Sequence, residues 1–537
     1  MTTMTEKKQF KILVSDKLGE GGLNILKKEP EFQVDNKPGL KPEELKAIIG
    51  EYDAIVIRSG TQMTKDILEA AKRLTLVGRA GVGVDNVDMP TATKQGIVVM
   101  NTPDGNTIST AEHSFSMLMA LARNIAQANE SIHKGEWKRA QFMGTELNEK
   151  TLGVIGLGRI GREVAKRAIA FGMRVIGYDP YISAENVGQL GIEVVDLDTV
   201  FRQADFITLH VPKNDDTKNI INAGSIAKMK KGVSIINCAR GGLVDEQALC
   251  DAIQSGQVKG AALDVFAKEP PENNPLLVLD HVIATPHLGA STEEAQENVA
   301  IAVAQQVADA LLERGIRNAV NMPSVDQETL RVLKPWIRLA ECLGLMQAQL
   351  FGGRFQEVSI RYGGEITNYN MAPLTIAVLK GLLEKVCDGI VNFVNAPAIA
   401  KERGIAVSES KTTQVEDFSS FITVEVKMDG QTNSVMGTLF GKREPRIVRI
   451  NEFFLEMIPR GVVLSIHNED LPGVVGTIGS VLGKNKINIA EMTLGRVEKK
   501  GKAYAMTVIN TDQDIPAAVL DELKAVPPII DAKVIHF

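Results

Sequence analysis

The sequence predicts an α/β protein: two doubly wound parallel-sheet (Rossmann-like) units, then an intervening α+β segment and a C-terminal ferredoxin-like module. Three patterns carry that prediction. Between about residues 10 and 100, short β-branched runs alternate with amphipathic stretches, the βα rhythm of a parallel sheet. A second series with the same rhythm starts at Leu152-Gly-Val-Ile155. The final stretch orders its elements βαββαβ.

In the first series Lys11–Ser15, Ala54–Ile57, Leu74–Val77 and Ile97–Met100 read as strands, with Pro42–Ile49 and Thr64–Ala71 as helices between them. Apolar residues at helical spacing over Thr110–Ala128 predict one long helix joining the two series. The second series has strands at Leu152–Ile155, Arg174–Gly177, Phe206–Leu209, Val233–Ile236, Gly260–Leu263 and Val282–Ala284, then a helical stretch over Glu293–Glu313. Residues 324–455 mix helix-like runs (Leu333–Gln349, Ala372–Val386) with strand-like ones (Glu357–Arg361, Phe421–Lys427) and carry no motif with an evident chemistry. In the tail, Val462–Ile466, Ile487–Leu494, Ala503–Ile509 and Ala532–Ile535 read as strands, Gly473–Leu482 and Ala517–Lys524 as helices. Such a module is expected to come away as a unit.

A chain of 537 residues exceeds what one core supports, so several domains are expected. The 44% hydrophobic and 23% charged residues are those of an ordinary soluble protein. A net charge of -6 and a pI near 5.8 argue against a nucleic-acid partner, which needs a basic face. No apolar run reaches the roughly 20 residues that span a bilayer, and no signal-peptide core precedes Phe10. Cys238, Cys250, Cys342 and Cys387 show neither metal spacing nor a CxxC pair, so no metal site is expected and a reducing cytoplasm is the expected compartment.

The sharpest local signal is Gly156-Leu-Gly158-Arg-Ile-Gly161, directly after a strand and opening an amphipathic run. That context turns a weak glycine pattern into a dinucleotide-binding fingerprint. Gly156 serves the tight turn, Gly158 the approach of a pyrophosphate, and Gly161 the close packing of helix on strand. The next strand ends at Asp179, about twenty residues on, where an acid accepts the ribose hydroxyls and repels a 2′-phosphate; NAD is therefore expected over NADP.

Three further groups stand at strand ends, where open α/β sheets place their ligands: Arg240 in Asn237-Cys-Ala-Arg-Gly-Gly242, Glu269 before Pro270-Pro271, and His287 in Thr285-Pro-His-Leu-Gly289. Oxidising a 2-hydroxy acid needs a hydride acceptor, a base for the hydroxyl proton and a cation for the carboxylate. The cofactor, His287 and Arg240 fill those roles, with Glu269 orienting the imidazole. The guanidinium fork suits a carboxylate as a lysine does not. His210, after Phe206–Leu209, is the obvious decoy for the base.

These segments resemble the D-isomer-specific 2-hydroxyacid dehydrogenases over residues 10–320, and the whole layout is similar to the long phosphoglycerate dehydrogenases of that family. The resemblance implies Arg240, Glu269 and His287 as catalytic residues. It implies cofactor contacts at Gly156, Gly158, Arg159, Ile160, Gly161, Asp179, Val211, Cys238, Ala239, Arg240, Asp264, His287, Gly289 and Ala290. It returns the chain to the first unit after the insert, which divides it into 1–104 with 290–322 (substrate), 105–289 (NAD), 323–455 (intervening) and 456–537 (regulatory). Val82 and Val211 depart from relatives that carry threonine, so only backbone contacts are expected there.

For 3-phosphoglycerate, the implied substrate contacts are Arg58, Ser59, Asn106, Arg139 and Arg240, with Arg139 reaching in from a second copy of a homodimer or homotetramer. Arg58 and Arg139 are cations left over for a phosphate once Arg240 holds the carboxylate. Arg79, at the next strand end, is left outside this set. The tail resembles the small-molecule-sensing ACT domain, which implies L-serine binding at Asn468, Asp470 and Asn488. A dehydrogenase of another 2-hydroxy acid and a non-catalytic NAD-sensing scaffold stay open beside this reading; the regulatory tail counts against the scaffold.

Overall fold

The computed structural model describes residues 9–387, 389–414, 417–428 and 430–537. The first sheet contains β1 (Phe10–Val14), β2 (Phe32–Asn36), β3 (Ala54–Ile57), β4 (Leu76–Arg79) and β5 (Val98–Met100), all parallel, in the order β2-β1-β3-β4-β5. The second contains β6 (Thr151–Ile155), β7 (Arg174–Tyr178), β8 (Ile192–Val194), β9 (Phe206–Leu209), β10 (Val233–Asn237), β11 (Val258–Leu263) and β12 (Val282–Ala284). Its order, β12-β11-β10-β9-β6-β7-β8, reverses at β6, and such reversals put a crevice at the carboxyl ends of the strands. Central strands β3, β6 and β10 are buried along their whole length, as parallel strands covered on both faces must be. Aspartates and threonines cap the helices between them: Asp196, Asp245 and Thr292 each accept a backbone N–H three residues on.

The helix Glu293–Leu311 turns back onto the first sheet, where Val299, Val303 and Val307 join Ile12, Val14 and Val56 in one core. The expected single helix over 110–128 is two, Thr107–Ala122 and Ile125–His133. Asn124 sits between them in the left-handed region (φ 52°), a conformation asparagine tolerates and most residues do not. The expected strand at 74–77 lies two residues later, which leaves Arg79 as its last residue.

The intervening segment builds a six-stranded sheet from β13 (Phe355–Gly364), β14 (Ala406–Thr412), β15 (Ser420–Met428), β16 (Gln431–Phe440), β17 (Glu444–Ile450) and β18 (Phe453–Met457), backed by helices Gln327–Leu350 and Ala372–Glu384. The tail forms the expected βαββαβ unit, with β19 (Val462–Glu469), β20 (Ile489–Lys499), β21 (Lys502–Thr511) and β22 (Ile529–His536) in the order β20-β21-β19-β22.

The tail's element order is self-contained, but one face of its sheet is covered by the intervening unit. Val463, Met506, Val508 and Ile535 from its open sheet face lie in the same buried cluster as Leu339, Leu343 and Met346 of the intervening helix. Each buried apolar side chain there adds to the hold between the two units in proportion to the area the contact removes from water. Polar ties add to them: Gln349 and His536 exchange bonds of 3.0 Å, and Lys533 donates to the Leu350 carbonyl at 2.6 Å. The intervening unit in turn touches the first sheet's periphery, where Asn392 donates to the Gly96 carbonyl at 2.8 Å and Asn395 to that of Lys94 at 3.3 Å. Among the described residues no helix is long and apolar enough to cross a membrane.

Candidate active site

The glycine turn follows β6. Gly156 has φ +98°, and a Cβ there would meet the His210 carbonyl oxygen at 2.4 Å; a Cβ on Gly161 would meet the Gly156 carbonyl oxygen at 2.0 Å. Those two glycines are required by the protein's own packing. Gly158 is different: its φ is -65° and a Cβ there would meet nothing. Its missing side chain leaves open space at the N-terminus of the helix Arg159–Ala170, where unpaired N–H groups and the positive dipole end suit a pyrophosphate. Asp179, just past β7, is held beside this turn, accepting from Leu157 N–H (2.9 Å) and Tyr181 N–H (2.9 Å). The residues present therefore fit a dinucleotide.

From the turn, a cavity of about 240 Å³ runs past Ile160, His210, Val211, Cys238 and Ala239 to His287, Gly289 and Ala290. It meets a cleft of about 330 Å³ that lies against the first sheet, lined by Arg58, Ser59, Arg79, Asn106, Arg240, Glu269 and His287 among others. At their junction His287 Nδ1 lies 2.8 Å from Glu269 Oε2, while Glu269 Oε1 accepts the Phe266 N–H at 3.0 Å. This leaves Nε2 as the ring nitrogen available to a ligand. His287 itself sits in the left-handed region (φ 57°). Asp264 holds that conformation: its backbone carbonyl accepts the His287 N–H at 2.9 Å, and its carboxylate accepts those of Leu288 (2.7 Å) and Gly289 (2.9 Å).

His210 differs on each count. Burial lowers its imidazole to about 4, so it is neutral at pH 7, and its Nε2 lies 2.9 Å from Thr208 Oγ1. Burial raises the Cys238 thiol to about 12, with Asp264 adding to the shift, so this cavity-lining cysteine is a neutral thiol.

The cationic side of the cleft is larger than the sequence suggested. Arg240 reaches across to the first unit and pairs with Asp85, Nε to Oδ2 at 3.3 Å. The Arg58 backbone is fixed by Asp16, which accepts its N–H and that of Thr61 (2.5 and 3.1 Å). Arg79, left outside the expected set, lines the same cleft. Its Nε is buried without a partner, and burial together with the nearby Arg240 charge lowers the guanidinium to about 10. Asp85 and Asp16 offset part of that cost, and the unpartnered Nε–H leaves a donor for an anion entering the cleft. The strand-end rule that picked out Arg58 applies equally to Arg79, so the signal was present. Asn106 Oδ1 is likewise buried without a partner. Arg139 does not line the cleft of its own chain; it lies on the exposed turn Arg139–Phe142.

In the tail, Asn468 is buried at the end of β19, its Oδ1 unpartnered, and Asp470 is paired with Arg496. Asn488, bonded to Asp512 at 2.6 Å, precedes β20 at the opposite end of the sheet, beside the start of β19. Six residues of extended strand, about 20 Å, separate the two ends. One chain therefore does not gather the three expected effector residues into one site.

Residues 115–289 match the D-isomer specific 2-hydroxyacid dehydrogenase NAD binding domain, 332–451 the D-3-phosphoglycerate dehydrogenase intervening domain and 462–528 the ACT domain. The D-3-phosphoglycerate dehydrogenase of Synechocystis is 47% identical over 97% of this chain and 94% of its own length. The one from Methanocaldococcus jannaschii is 46% identical over 98% and 99%. The chain belongs to the D-3-phosphoglycerate dehydrogenase family. Solved structures match the family's two-sheet core. The Aquifex aeolicus D-lactate dehydrogenase, complexed with NAD and lactic acid, is 30% identical with a TM-score of 0.53, covering 58% of this chain and 100% of that one. The Staphylococcus aureus NAD-dependent formate dehydrogenase, also with NAD, is 27% identical with a TM-score of 0.54, covering 59% and 100%.

Proposed function

We propose that this chain oxidises D-3-phosphoglycerate at C2 with NAD, giving 3-phosphohydroxypyruvate. The observation that carries the reading is the His287–Glu269 pair at the junction of a dinucleotide cavity and a cleft bearing three arginines. His287 Nε2 takes the hydroxyl proton as C2 is oxidised, and Glu269 stabilises the imidazolium that results. NAD, when bound, supplies the hydride acceptor. Gly156, Gly158, Arg159, Ile160 and Gly161 would hold its pyrophosphate and Asp179 its ribose. Val211, Cys238, Ala239, Asp264, Gly289 and Ala290 would line the remainder.

Arg240 takes the substrate carboxylate, exchanging Asp85 for it. Arg58 and Arg79 take the phosphate, with Ser59 and Asn106 as neutral partners. An unphosphorylated 2-hydroxy acid would leave the Arg79 Nε–H without an acceptor, which is why phosphoglycerate is favoured over lactate or glycerate.

Arg139 acts from a second copy. Ile132, Trp137 and Met143 stand exposed around it, Trp137 by 79% and Met143 by 81%, as side chains covered by a partner would. The same assembly brings Asn488 of one tail to Asn468 and Asp470 of another, so that L-serine binds between copies. Steady-state NAD reduction with 3-phosphoglycerate, D-glycerate and D-lactate, with and without L-serine, tests the reading. Equal kcat/KM for the phosphorylated and unphosphorylated acids would overturn it.

A further inference from the structure

The turn that presents His287 is fastened to the helix Thr107–Ala122 along one helical face. Ser109 and Thr110 hydroxyls donate to the Gly289 carbonyl at 2.9 and 3.1 Å. One turn on, His113 Nε2 lies 3.1 Å from Asp264 Oδ1 and 3.2 Å from Thr285 Oγ1. A further turn on, Met117 Sδ lies 3.9 Å from the same hydroxyl. His113 lies outside the catalytic, cofactor and substrate residues named above.

The hydrogen count decides which proton state this ring holds. Asp264 is wholly shielded, and its Oδ1 accepts the single Thr285 hydroxyl proton at 2.6 Å. With that proton committed, the Thr285 oxygen can only accept from His113, and a carboxylate oxygen only accepts. Both neighbours of Nε2 are therefore acceptors, and Nε2 must carry the proton. Burial alone would raise the Asp264 carboxyl, but donation from His113, Thr285 and the Leu288 N–H outweighs it and keeps the group low.

We propose that His113 is a positioning residue for the dehydrogenase reaction: by donating Nε2–H to Asp264 and Thr285, it fixes the turn that aims His287. The chain of contact is continuous. Asp264 takes three successive N–H groups of the turn, one on its backbone carbonyl and two on its carboxylate, and so keeps His287 in its left-handed conformation. A side chain with its own rotamer fixed by packing is what such a site needs behind its reacting groups. The helix also begins at Asn106, on the crossing between the two parallel sheets, so His113 ties the base to the element that joins them.

This inference rests on His287 being the base. His113→Leu keeps the bulk and removes the donor; His113→Gln restores an N–H at similar reach. Turnover of the leucine variant should fall roughly tenfold to a hundredfold, the effect of a small misplacement of a reacting group, with KM for 3-phosphoglycerate within about threefold of wild type. The glutamine variant should recover most of that loss at an unchanged thermal midpoint. Independently of activity, ¹⁵N-histidine NMR of the ligand-free protein, assigned through the signal lost in His113→Leu, should show Nε2 protonated. Wild-type turnover in His113→Leu, equal losses in both variants, or a His113 ring protonated at Nδ1 alone would each overturn the proposal. Full turnover in His287→Ala would instead overturn the assignment of the base, leaving the ring's proton state as a separate result.

Discussion

Replacing Arg79 with methionine should move stability and substrate affinity in opposite directions. Burial, with Arg240 adding repulsion, brings this guanidinium down to about 10 from the usual arginine value. That drop of about 2.5 decades in proton affinity, at about 1.4 kcal/mol per decade, sets the cost of holding the charge in a ligand-free cleft at roughly 2–4 kcal/mol. The folded chain binds the proton less tightly than the unfolded one, and below pH 10 both carry it. The whole cost is therefore present at pH 7 and fades only as pH rises through about 10. Arg79→Met removes the charge at nearly constant volume, so the ligand-free protein should gain roughly 1–3 kcal/mol. Its first thermal transition should rise by about 2–4 °C per kcal/mol. The same change removes a charge-assisted bond worth about 1.5–3 kcal/mol, raising KM for 3-phosphoglycerate roughly tenfold to 150-fold. Scanning fluorimetry without ligand and steady-state kinetics read the two effects. A destabilised protein with an unchanged KM would refute the argument.

Five other variants have defined expected outcomes. His287→Ala should lower kcat by about 10² to 10⁴ while leaving NAD affinity, read by fluorescence titration, nearly intact, and Glu269→Gln should lower kcat by less. Asp179→Ala should weaken NAD and narrow its advantage over NADP in kcat/KM, since the ribose acceptor and the repelling charge go together. Arg58→Ala should raise KM for 3-phosphoglycerate far more than for D-glycerate; equal losses would make Arg58 structural. Arg496→Gln frees Asp470 of its partner and should tighten L-serine binding up to about fivefold by calorimetry, the scale of an exposed ion pair.

Much of this architecture is legible in the chain because parallel strands buried on both faces are written as unbroken apolar runs. Ala54–Ile57, Leu152–Ile155 and Phe206–Leu209 end where the sequence says they do. Phe32–Asn36 and Ile192–Val194 escape notice because each is a short edge strand carrying polar residues. The His287–Glu269 pair was readable from strand ends, whereas His113 was not. Its partner Asp264 lies 151 residues away in sequence, and a histidine within an apolar helix gives no sign of which carboxylate it will meet. The break at Asn124 was hidden because the apolar periodicity continues on either side of it.

The apolar seam between tail and intervening helix also bears on how such enzymes can be assembled from parts. The tail reads as a portable cassette, yet its open sheet face carries Val463, Met506, Val508 and Ile535, which need the intervening helix as their cover. Grafted alone onto a shorter dehydrogenase, it would arrive with a greasy face outward and aggregate or recruit a stray surface. Recombination that keeps this face covered must therefore exchange the tail together with the intervening helix Gln327–Leu350.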